Sequence, residues 1–125
     1  MKFEYYNPSE ENGGCVVRSL SKALDKDYEI VKEELLNYAK TLNFNSYNEV
    51  EVFEKYILDN HFNKLESVNK EIKDLKLNNG TYIIFCNKDD FYHMVTIINN
   101  VLYDKSEVAF DMNAINIYTK YKEEK

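Results

Sequence analysis

The chain has 125 residues, 44% of them hydrophobic and 30% charged, with a net charge of −6 and a pI near 5.0. That balance predicts one folded domain spanning 1–125, long enough to bury a core without metals or disulfides, and it excludes a disordered chain. The acidic charge, with no clustered Lys and Arg, excludes nucleic acid as an expected partner.

No stretch approaches the roughly 18 apolar residues of a membrane span, so no membrane association is expected. The segment Met1 to Pro8 lacks the apolar core of a signal peptide, which predicts a cytoplasmic protein. Two cysteines, Cys15 and Cys86, then read as free thiols. With two histidines and neither C-x-x-C nor H-x-x-x-H spacing, no metal site is predicted, and no cofactor is expected.

In chain order, residues 1–12 read as an irregular lead-in, with a turn at Asn7-Pro8-Ser9. From Val16 the apolar positions Val16, Val17, Leu20, Ala23 and Leu24 follow a helix face, so a first helix begins at Gly14 or Cys15. Asp25 or Asp27 caps a second helix with Tyr28, Val31, Leu35, Tyr38, Ala39 and Leu42 inward. Ser46-Tyr47-Asn48-Glu49 has capping-box spacing before a third helix that ends near Asp59-Asn60. Lys64 to Val68 reads as a short strand, and Asn69 to Leu77 as a helical turn or two. Gly80 is followed by a β-branched, aromatic strand, Thr81 to Cys86, and a turn at Asn87 to Asp90. The next strand, Phe91 to Ile98, turns at Asn99-Asn100 into a hairpin partner from Val101 to about Lys105. After a connection, Ala114 to Tyr121 alternates as a last strand. Helices precede antiparallel strands, which is an α+β arrangement with N-terminal helices packed on a C-terminal antiparallel sheet.

Cys15 follows Gly13-Gly14 at a predicted helix N-terminus, where unpaired N–H groups and the helix dipole stabilise a thiolate. A two-residue loop at Asn99-Asn100 pairs Ile98 with Val101, Ile97 with Leu102, Thr96 with Tyr103 and Val95 with Asp104. Period-2 alternation then puts His93 on the face of Asp104, with Cα atoms about 7–8 Å apart, within reach of an imidazole–carboxylate bond. Such a bond fixes the tautomer of a histidine that serves a nucleophile.

These residues resemble the papain-like cysteine peptidases, in particular compact bacteriocin-leader peptidase domains and short bacterial and phage proteins. The opening reads Gly13-Gly14-Cys15-Val16-Val17-Arg18-Ser19; the later signature reads Gly80-Thr81-Tyr82-Ile83-Ile84, His93-Met94-Val95 and Val101-Leu102-Tyr103-Asp104. The resemblance implies a papain-like fold with Cys15 as nucleophile, His93 as base and Asp104 as its orienting carboxylate. It further implies hydrolysis or acyl transfer at a peptide or related amide bond, with a peptide or protein as substrate. Where the family places a Gln as oxyanion donor, about six residues before the cysteine, this chain has Ser9; Asn7 and Asn12 are the other side-chain candidates, beside the Cys15 N–H. That departure also allows an inactive domain that binds a peptide or protein.

Plainer roles compete for the other residues. Cys86 ends an apolar strand and reads as core, and His61 as a solvated helix-end residue. Arg18 reads as a surface or interhelix salt bridge, although it is placed to supply positive potential near Cys15. Tyr5, Tyr6, Tyr92 and Tyr103 read as packing residues with groove lining as the alternative.

Overall fold

In the computed structural model, which describes residues 1–66 and 69–120, three α-helices pack on a six-stranded mixed sheet, an α+β arrangement. The strands are β1 (Lys2–Tyr5), β2 (Asn63–Leu65), β3 (Thr81–Lys88), β4 (Phe91–Ile98), β5 (Val101–Asp104) and β6 (Asn113–Lys120). The helices are α1 (Cys15–Leu24), α2 (Tyr28–Thr41) and α3 (Val50–Asp59), and 3-10 turns occupy Ile72–Asp74 and Glu107–Asp111. Sheet order is β1-β5-β4-β3-β6-β2, with β1 parallel to β5 and the other pairs antiparallel.

Several sequence expectations change. The lead-in is not wholly irregular: Lys2–Tyr5 forms an edge strand, which a stretch so short and mostly exposed signals only through its partner β5. That strand makes the sheet mixed instead of antiparallel, and not confined to the C-terminal part. The capping box is not formed: Ser46 Oγ accepts the Asn48 N–H at 3.0 Å in a local turn, and Glu49 takes the N-cap position of α3 without a side-chain bond. Ser and Glu at that spacing serve a side-chain turn as well as a cap, and the turn wins here. The strand expected over Lys64 to Val68 begins and ends earlier, at Asn63–Leu65; its last two positions, and Tyr121, lie outside the described residues.

Elsewhere the local chemistry acts as its sequence dictates. Asp27 caps α2 by accepting the Glu29 N–H at 3.1 Å, while Asp25 takes the left-handed conformation that ends α1. Asn99 and Asn100 have φ of 49° and 68°, the two left-handed residues of a type I′ hairpin turn. The register behind it is Ile98–Val101, Ile97–Leu102 and Thr96–Tyr103. There the ladder stops, so the expected Val95–Asp104 pair is not made.

Both sheet faces are covered, which is why β3 and β4 are apolar almost throughout. On one face Val16, Val17 and Leu20 of α1 pack with Ile83, Met94 and Tyr118, together with residues of α2 and α3. On the other, Ile84, Val95, Ile97 and Leu102 pack under the two 3-10 turns through Ile72 and Ala109. Polar bonds set α1 on β4: Ser19 Oγ donates to the Met94 carbonyl at 2.7 Å, and Thr96 Oγ1 donates to the Ser19 carbonyl at 2.6 Å, all buried. Ser19→Ala leaves the Met94 carbonyl without that donor and is expected to cost about 1–2 kcal/mol, read from the urea unfolding midpoint.

Candidate active site

Cys15 is the first residue of α1 and is half-buried. Gly13 has φ +72°, a left-handed turn that suits glycine. Gly14 has an ordinary φ but no room, because a Cβ there would fall on the Tyr28 hydroxyl. That hydroxyl donates to Glu11 Oε2 at 2.9 Å, and Lys32 Nζ meets Glu11 Oε1 at 2.7 Å, so the loop before Cys15 is tied to α2 at Glu11. Gly14→Ala is expected to break the Tyr28–Glu11 bond and lower stability by about 1–2 kcal/mol, with loss of Cys15 reactivity as the loop shifts; thermal unfolding and thiol titration measure both. The N-cap residue of α1, Gly14, has no side chain to cap with, and the first turn carries no acidic residue.

His93 and Asp104 are bonded as the hairpin register suggests: His93 Nε2 lies 2.6 Å from Asp104 Oδ2, with both residues buried. Alternation puts His93 with Val95 and Ile97, on the face opposite the one α1 covers. They meet α1 where β4 and β5 cease to pair, beyond Thr96–Tyr103. At that gap Arg18 enters from α1. Its Nε and Nη2 each lie 3.1 Å from Asp104 Oδ1, and the Lys105 N–H donates to the same oxygen at 2.8 Å. Arg18 is 3% exposed, so the expected surface or interhelix salt bridge is corrected: its partner is the site's own carboxylate, on β5. Its position one turn after Cys15 was visible in the sequence; the burial of Asp104 beneath it was not.

With Nε2 engaged by Asp104, Nδ1 is the ring nitrogen left for the thiol. Burial alone would push the Cys15 thiol up, but the hydrogen bond and charge of His93, the Met94 backbone and the Arg18 charge outweigh it, and its pKa is lowered. Burial would push His93 down; hydrogen bonds to Asp104 and Cys15, and the charges of both, instead raise it from 6.5 to about 9. The two shifts favour a thiolate–imidazolium pair.

Cys15 and His93 line a cavity of about 570 Å³. Phe85 and Tyr92 supply aromatic walls, stacking with centroids 5.8 Å apart over the buried Phe53, and Asn48, Glu49 and Glu51 line it from the start of α3. In the sequence Asn48 and Glu49 read as part of a capping box and Glu51 as an ordinary helix residue, with no site role for any of them. Of the three side-chain oxyanion candidates, none lines this cavity. Ser9 Oγ accepts the Glu11 N–H at 3.3 Å; Asn7 is half-buried and Asn12 exposed. Among the four tyrosines, Tyr92 lines the cavity, Tyr6 bonds Ser21 Oγ at 2.7 Å, Tyr5 is exposed, and the Tyr103 ring lies under Lys22.

Cys86 is core, as its strand suggests: fully buried, it donates to the His93 carbonyl at 3.4 Å, and burial, then the charges of Asp104 and Cys15, push it up to about 12. His61 is exposed in a left-handed turn after α3. Among the described residues no group of His, Cys, Asp and Glu is placed to hold a metal ion, and no helix is long and apolar enough to cross a membrane. Compared with family models, curated proteins and solved structures, the chain matches none of them.

Proposed function

We propose that this protein is a papain-like thiol hydrolase or acyltransferase acting on a peptide or related amide bond, with Cys15 as nucleophile, His93 as base and acid, and Asp104 as orienter. The observation that carries the reading is the buried Asp104–His93 bond of 2.6 Å, with His93 and the thiol that opens α1 lining one cavity. The papain-like reading of the fold draws on the order Cys, His, Asp, with the cysteine on a helix packed against the strands that bear the other two.

The chemistry follows from the charges. The Cys15 thiolate adds to the amide carbonyl, forming a C–S bond, and first-turn N–H groups of α1, beginning with Cys15, receive the oxyanion. His93 gives its proton to the leaving amine as the C–N bond breaks. Water, or an amine in the transfer reaction, then attacks the thioester, passes a proton to His93, and releases Cys15 as thiolate.

The test is alkylation by iodoacetamide across pH. Cys15 should react at pH 5–7 faster than an ordinary thiol of pKa ~8.5, with the ion pair lost on the basic side near pH 9, and His93→Ala should abolish both features. Reaction no faster than a free thiol, unchanged in His93→Ala, would remove the ion pair and the proposal with it.

A second reading has one observation in its favour: Asn7, Ser9 and Asn12 all lie outside the cavity lining. In that case the domain holds a peptide without cleaving it, and Cys15→Ala retains full biological effect.

A further inference from the structure

We infer that the cavity beside Cys15 is a subsite for a cationic side chain, so that the preferred substrate is a peptide carrying lysine or arginine next to the scissile bond. The inference rests on the reading of Cys15 as nucleophile.

The cavity combines two features that a long cationic side chain satisfies together. Phe85 and Tyr92 present aromatic surface suited to an alkyl stem, and a ring face attracts a cation. Glu49 and Glu51 bring two carboxylates to the same space; the lining has no lysine or arginine among the described residues, and the charge of its His93 is offset by Asp104 and the Cys15 thiolate. Both glutamates are exposed, and among the described residues neither enters a salt bridge, so both are open to an incoming cation.

A purely apolar side chain would cover the rings but gain nothing from the carboxylates, and an acidic one would be repelled. At about 570 Å³ the space is of ordinary ligand-site size, ample for one extended side chain. The chain's net charge of −6 adds a long-range field of the same sign, which raises the encounter rate of cations.

The experiment uses peptidyl chloromethyl ketones of equal length, with lysine, glutamate or leucine at either of the two positions before the ketone. The Cys15 thiolate displaces chloride, forming a C–S bond, and peptide mass mapping separates labelling at Cys15 from labelling at Cys86. The lysyl probe should label Cys15 about tenfold faster than the glutamyl probe at low salt, with the ratio shrinking as ionic strength rises. Glu49→Lys with Glu51→Lys should invert the ratio.

If iodoacetamide reacts with Cys15 at the enhanced rate but the lysyl and glutamyl probes label equally, or the leucyl probe is fastest, the cationic subsite is overturned and the thiol chemistry stands. A charge preference that survives both substitutions overturns it as well. If iodoacetamide reacts no faster than with a free thiol, the nucleophile reading falls and the subsite falls with it.

Discussion

Arg18→Met is expected to destabilise the protein by about 3 kcal/mol or more, because it removes one partner of a buried ion pair and leaves the other. Asp104 is 1% exposed and takes two of its contacts from the Arg18 guanidinium, both on Oδ1. A urea titration reads the loss as a lowered midpoint without a matching change in slope. The same substitution should move the acid limb of Cys15 alkylation to higher pH, since the Arg18 charge is one of the influences that lower the thiol. Arg18→Lys separates the two effects: it keeps the charge, and with it much of the limb position, but loses the fork that meets Asp104. Should Arg18→Met unfold at the wild-type midpoint and keep the wild-type acid limb, Arg18 neither anchors Asp104 nor acts on Cys15.

The second large effect belongs to Asp104→Asn. In the proposed hydrolase the amide oxygen of Asn can still accept the Nε2–H and orient the ring, as in Cys-His-Asn sites, so kcat on an amide substrate should fall only by about tenfold, through the lost charge opposite the imidazolium. The basic limb, set by His93 near 9 in the intact protein, should move down toward 6.5 as the charge of Asp104 is lost. The linked stability change has a definite sign. A histidine raised from 6.5 to about 9 by folding stabilises the native state in full below pH 6.5, and loses that contribution as pH rises through about 9. The gap in urea midpoint between wild type and Asp104→Asn should therefore be wider at pH 6 than above pH 9, where the cost of leaving Arg18 without its carboxylate remains. A basic limb that stays near 9 in the variant would show that Asp104 does not set the charge of His93.

The legible parts of this chain were those written in local chemistry. Asn99-Asn100 dictates a tight hairpin turn because asparagine tolerates positive φ, and the turn sets the register behind it. The β-branched and aromatic run at Thr81 and the periodic positions after Val16 likewise declare a strand and a helix. Less legible were features whose cause lies elsewhere in the chain. Lys2–Tyr5 is a strand because β5 offers it an edge, and Ser46 turns the chain where its spacing suggested a cap.

For the candidate site, the residues and the hairpin that joins His93 to Asp104 were readable from sequence by itself, because turn type and period-2 alternation are short-range rules. The tertiary structure decided how α1 meets them. Its apolar residues cover the opposite face of the sheet, and Ser19 and Thr96 fix its place on β4. Arg18 then reaches Asp104 where β4 and β5 stop pairing, and α3 brings Glu49, Glu51 and Phe53 to the cavity beside Cys15. Contacts between residues 86 positions apart, as Arg18 and Asp104 are, depend on how layers pack, and no periodicity within either segment encodes that distance.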